Sequence, residues 1–180
     1  IINMGIIKLN EGKAGTELPG SGTLIMIFTE GTVIGPRKKI EYFRQARYVP
    51  IKNCVKKIMD WESQGAKIVY LTSRRKSKHL EEVKKILVSK SFPGELLYFR
   101  EGSEKYKDIA EAVKPDILIE DDCRSIGGKW QMTITYVDKE IKKGIKSIVV
   151  SEFMGIDHLP SDLGNLMKYN KNNILGGVSC

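Results

Sequence analysis

The sequence predicts a three-layer α/β fold, a parallel sheet with helices on both faces. Two observations carry that prediction. Short apolar, β-branched runs alternate with amphipathic helical patterns from about residue 23 to 165, an order that requires each strand to be followed by a crossover to a parallel neighbour. The early runs also end in small polar or charged turns, and ligands of open α/β sheets gather at the carboxyl ends of strands.

Residues 1–22 form a peripheral extension of short strand or loop. Ile1 is not a start residue while Met4 can be one, so part of the stretch is taken as non-native, and Gly12, Gly15, Pro19, Gly20 and Gly22 interrupt any regular element. The first strand is expected at Thr23–Phe28. Its uncharged run suits burial on both faces, and Gly31 releases the chain into a loop. Ile51, Val55, Ile58 and Met59 share one face of a helix expected from Pro50, in its first turn, to Ser63, with Gly65 at its exit. A strand over Lys67–Leu71 then ends in Thr72-Ser73-Arg74-Arg75. Leu80, Val83, Ile86 and Leu87 mark a second helix, stopped before Pro93-Gly94. A third strand, about Glu95–Phe99, precedes a helix whose face is Tyr106, Ile109, Ala110 and Val113. Asp116–Ile119 is a buried strand leading into Glu120-Asp121-Asp122. After an irregular stretch, Ser147–Val150 supplies a fifth strand, and Ser161 is the expected cap of a last helix through Leu163, Leu166 and Met167. The domain is therefore 23–168, with 169–180 a tail.

At 180 residues the chain suits one domain that buries about 70% of its unfolded surface without a disulfide or structural metal. No apolar run approaches the ~18 residues of a membrane span. The N-terminus shows no basic region, apolar core and cleavage site in series, so a cytoplasmic protein is the expectation. Cys54, Cys123 and Cys180 are widely spaced and form no CxxC pair, which fits a reducing compartment, and neither His79 nor His158 stands at zinc-ligand spacing from them. Arg37, Lys38, Lys39, Arg44 and Arg47 face a single acid, Glu41, and so carry half of the net charge of +8. Such a patch can attract phosphorylated ligands or nucleic acid. No nucleic-acid motif accompanies it, and a solvated face is the preferred reading.

The strand ends hold the chemistry. Three adjacent carboxylates at 120–122 repel one another unless a cation compensates, and hard oxygen ligands suit Mg²⁺. Either Glu120-Asp121 or Asp121-Asp122 can be the metal pair, and the first is favoured because Glu120 directly follows the apolar run. Thr72 and Ser73 can offer hydroxyls and backbone N–H groups to a phosphate oxygen. Lys107, preferred over Lys105 for its distance from the acids, can bring an ammonium from the start of its helix.

In this order the elements resemble the haloacid dehalogenase (HAD) superfamily of phosphohydrolases, over roughly residues 23–165. Phe28-Thr29-Glu30-Gly31-Thr32 stands where that family has Asp-x-Asp-Gly-Thr. Thr72 stands where it binds phosphate, Lys107 where it has a stabilising Lys, and Glu120-Asp121 where it has metal-binding acids. The resemblance implies a Rossmann-like core and attack by the first Asp on phosphorus. A second acid, here Glu30, then protonates the leaving group, with Mg²⁺ held by Glu30 and Glu120, Asp121 or Asp122. Gly31 and Thr32 join Thr72, Ser73 and Lys107 at the phosphate. Phe28 cannot be the nucleophile, and losing a nucleophile that works as part of a unit removes on the order of 10⁶ in kcat.

The expected function is thus a HAD-like protein that binds a phosphorylated ligand, with Mg²⁺ as the expected cofactor, and has lost or altered phosphatase activity. The alternatives are an active Mg²⁺-dependent phosphomonoester hydrolase using water or an unidentified nucleophile, and, less favoured, a nucleic-acid-associated protein. The space between the first strand and its helix admits only a minimal cap, which leaves the basic segment or a second copy of the chain to cover the site.

Overall fold

A computed structural model describes residues 10–13, 21–41 and 47–170. Its main sheet has six strands: β1 (Asn10–Gly12), β2 (Leu24–Phe28), β5 (Lys67–Leu71), β6 (Leu96–Tyr98), β7 (Ile117–Asp121) and β8 (Lys146–Val150). The spatial order is β1-β6-β5-β2-β7-β8, and every pairing is parallel. From central β2 the chain builds outward through β5 and β6, then returns to the other side of β2 for β7 and β8. Connections therefore leave in opposite directions beside β2, which makes its carboxyl end the topological switch point of the sheet.

Alternation along the strands supplies two cores. Ile25, Ile27, Ile68, Tyr70, Ile117 and Ile119 face one side, where they pack with α1 (Cys54–Ser63), α2 (Ser77–Ser89) and Leu166 of α6 (Leu163–Lys168). Met26, Phe28, Val69, Leu71 and Leu118 face the other and meet Ile109 and Ala110 of α3 (Tyr106–Val113). Burial on both faces explains why these strands read as continuous apolar runs.

Local departures from the expected elements have identifiable causes. Pro50 does not open a helix: it lies in β4 (Val49–Pro50), paired antiparallel with β3 (Ile34–Gly35), and its missing N–H suits so short a ribbon. α1 consequently starts at Cys54, and its buried stripe is Cys54, Ile58 and Trp61, while Met59 is exposed. Met167 is exposed as well. Asp162, not Ser161, caps α6 by accepting the Asn165 N–H at 2.7 Å, because the Ser161 hydroxyl is engaged by the Lys57 ammonium at 2.8 Å. The irregular stretch before β8 contains two short helices, α4 (Thr133–Tyr136) and α5 (Lys139–Lys143). In the extension, β1 is an edge strand on β6. The 169–180 tail beyond Asn170 lies outside the described residues, as does Arg44 of the basic segment. Arg37, Lys38 and Arg47 are exposed, and Arg47 lies 3.9 Å from Glu41. Among the described residues, the insertion after β2 is only the β3–β4 ribbon and a short turn at Lys39–Glu41, with no cap domain. No helix among them is long and apolar enough to cross a membrane.

Candidate functional site

Strand register builds the site. Phe28 pairs with Leu71 and Ile27 with Ile119, so the chain leaves β2, β5 and β7 at nearly one level. Past Phe28 the Thr29 N–H still donates to Leu71 O at 2.8 Å, after which the chain turns, with Val33 N–H and Ile34 N–H both returning to Thr29 O at 3.0 Å. Gly31 makes this turn possible. Its φ is +83°, and a Cβ there would stand 2.7 Å from Asp121 Oδ1, so a side chain meets both backbone strain and a carboxylate. The buried Thr32 hydroxyl donates to that same oxygen at 3.1 Å.

Glu30 is the centre of the arrangement. Oε1 accepts from the Thr72 hydroxyl at 2.6 Å and from Arg74 Nε at 2.9 Å, and Oε2 accepts from the Ser73 N–H at 3.1 Å. The Thr29 hydroxyl lies 2.7 Å from Oε2 and 3.3 Å from Leu71 O, and its single proton favours the charged acceptor. The Thr72 hydroxyl also accepts the Arg74 N–H at 3.2 Å, which aims its proton at Glu30. Both members of the ion pair are largely covered, with 15% of the Arg74 side chain and 10% of Glu30 exposed. Thr72 and Ser73, expected to meet a phosphate, are thus turned onto a carboxylate of the chain itself.

Phe28 packs into the α3-side core, 9% exposed, and its ring meets Tyr106 edge-on at 5.2 Å between centroids. The Arg100 guanidinium lies 4.0 Å above the other ring's centroid, on Tyr106. Burial is the main cause pushing the Tyr106 hydroxyl's pKa up; Arg100 opposes it, while Glu30 and Cys123 add to it. Tyr106 therefore turns toward the strand ends. The neighbouring Lys107 ammonium lies along its own helix, 3.3 Å from Asp108 and 3.5 Å from Glu111, and the structure does not bring it to Glu30.

The three acids at the end of β7 diverge. Glu120 and Asp121 are consecutive within one strand, so their side chains leave on opposite faces. Glu120 is buried and accepts the Thr133 and Ile134 N–H groups at 2.6 and 3.0 Å, which makes it the anchor of α4. Asp121 accepts from Thr32 and from the Cys123 N–H at 3.0 Å. Burial raises the pKa of both carboxyls, and these N–H and O–H donors only partly oppose it. Asp122 accepts the Glu152 N–H at 3.1 Å. Among the described residues no three His, Cys, Asp or Glu side chains are grouped to hold a metal ion.

The donor set gives the physical reason. The Glu30 and Glu120 oxygens already face N–H and O–H protons, and a guanidinium sits where a second cation would have to approach Glu30. The set Glu30, Glu120, Asp121 and Asp122 does not fit Mg²⁺ as arranged. Cys123 supplies no replacement nucleophile: burial, then Asp121 and Glu120, push its thiol far above the ordinary range, so it stays protonated.

The fold resembles that of a chain in an RNA repair complex. Two structures of the Pnkp1/Rnl/Hen1 complex contain chains that match at TM-score 0.50, with 16% and 15% identity over 80% of this chain. This chain spans about half of their length, 46% and 50%. A D,D-heptose 1,7-bisphosphate phosphatase from B. bronchiseptica, complexed with magnesium and phosphate, matches at TM-score 0.43 and 11% identity over 73% of this chain and 94% of its own, too weakly to bear on the site. No family model and no curated protein matches the sequence. At these identities the likeness concerns the α/β fold alone.

Three residues that shape the site carried no functional assignment in the sequence. Arg74 had a visible signal, since a cation two residues past Thr72 at a strand end lies within reach of an acid on the adjacent strand. Tyr106 was legible only as a helical core position, which it also is. Arg100 gave no signal beyond being one cation in a charged turn.

Proposed function

We propose that the chain is a HAD-like module that binds a phosphorylated ligand without hydrolysing it. The observation that carries this reading is the fate of Phe28. At the end of the central strand, where an attacking carboxylate would project, a phenyl ring is sealed against Tyr106. Among the described residues neither Cys123 nor Glu30 stands in for it, because burial and the neighbouring acids push the Cys123 thiol up and the Glu30 carboxylate is spent on four donors. The donors around Glu30 supply the anion recognition expected of a phosphate site.

The fold likeness to chains of an RNA repair complex is compatible with a phosphorylated polymer or a smaller phosphomonoester as ligand. The test is turnover of a panel of phosphomonoesters, with and without Mg²⁺, by the wild-type chain and Glu30→Ala. Background rates in both are expected. Wild-type turnover that is abolished in Glu30→Ala would overturn the non-hydrolytic reading.

A further inference from the structure

The groups gripping Glu30 make an oxyanion cradle whatever fills it. Two hydroxyls, one backbone N–H and one guanidinium N–H converge on two oxygens of a single anion. Three of these donors, on Thr72, Ser73 and Arg74, come from the turn after β5, and the anion comes from the turn after β2. A phosphate oxygen accepts the same protons that a carboxylate oxygen accepts, and the planar guanidinium serves either.

We propose that this cradle is a phosphate-binding site whose resting occupant is the chain's own Glu30, so that phosphate or a phosphomonoester enters only in exchange for that side chain. The proposal takes its ligand class from the function proposed above.

The consequence is quantitative. A tethered carboxylate competes at an effective concentration of millimolar or higher. Apparent affinity for an external anion falls by the fraction of time the cradle is vacant, about 100-fold if Glu30 is docked 99% of the time. Once displaced, the carboxylate also remains close to the incoming dianion and repels it. Arg74, neutralised while Glu30 is docked, becomes available to pair with phosphate only after the exchange.

The measurement is titration of the full chain with inorganic phosphate at constant ionic strength, by calorimetry and by the Ser73 amide signal in NMR. The variants are Glu30→Ala, Glu30→Gln and the double variant Glu30→Ala/Thr72→Val. Glu30→Ala should bind at least ~10-fold more tightly than wild type. Glu30→Gln should gain less, since its amide keeps the size but loses the charge. Adding Thr72→Val should reverse most of the gain.

A gain that survives Thr72→Val would show a general charge effect and overturn the cradle. Equal, measurable affinity in wild type and Glu30→Ala would overturn self-occupation while leaving the phosphate-binding module intact. No binding by any variant, with Glu30→Gln folded by circular dichroism, would overturn both. Turnover is read separately, so phosphatase activity would strike only the non-hydrolytic reading.

Discussion

The Glu30–Arg74 clamp can be weighed by a double-mutant cycle of Arg74→Met and Glu30→Gln. The two groups meet at 2.9 Å with 10% and 15% of their side chains exposed, which places them between two known regimes. Exposed pairs contribute about 0.2–1 kcal/mol, whereas breaking a fully buried pair costs about 3–5 kcal/mol. Arg74→Met removes one of four donors and leaves a covered carboxylate with three. A destabilisation of about 2 kcal/mol follows, and since the remaining donors are shared by both backgrounds, a coupling of about 1–2 kcal/mol. For a chain of this size 1 kcal/mol corresponds to about 2–4 °C, so Arg74→Met should lower Tm by about 4–8 °C. Urea titrations with unchanged m values would supply the energies. A coupling within about 0.3 kcal/mol of zero would mean that the pair does not persist in solution, and the self-occupied cradle would fall with it.

Two further outcomes follow from the acids. Burial raises the folded pKa of Glu120 and Asp121, so between their ordinary and raised values the folded state binds more protons than the unfolded state. Stability should therefore fall as pH rises through that window, from about 4 upward, and Glu120→Gln should flatten the fall in melts taken from pH 4 to 7. A steeper fall in the variant would refute the assignment. Because the carboxylates are committed to N–H and O–H donors, Mg²⁺ at up to ten millimolar should shift Tm by less than about 1 °C; a saturating shift, which linkage would produce at any concentration well above Kd, would show that the acids regroup around a metal.

Much of the fold was readable because its signals are local. The uncharged runs at Leu24–Phe28, Lys67–Leu71 and Ile117–Ile119 need only neighbouring residues to be recognised as strands buried on both faces. The start of α1 was misplaced because Pro50 suits both a first helical turn and a β-ribbon, and only its pairing with Ile34 decides between them. Glu120 and Asp121 looked like a metal pair because they are adjacent, yet adjacent residues of a strand diverge. That geometry applies only if β7 runs through Asp121, as it does.

By itself, the sequence determined the alternation of strands and helices, the polar turns after the strands, and the presence of a phenyl ring at position 28, at the end of the central run. The tertiary structure alone decided which donors those acids meet. Glu30 and Thr72 are 42 positions apart and come together only through the register of β2 on β5; Glu120 is claimed by amides of α4, an element its sequence did not announce. Tyr106, not Lys107, turns inward, because the ammonium finds Asp108 and Glu111 on its own helix. A carboxylate's role depends on the protons that reach it first, and that competition is settled between segments distant in the chain.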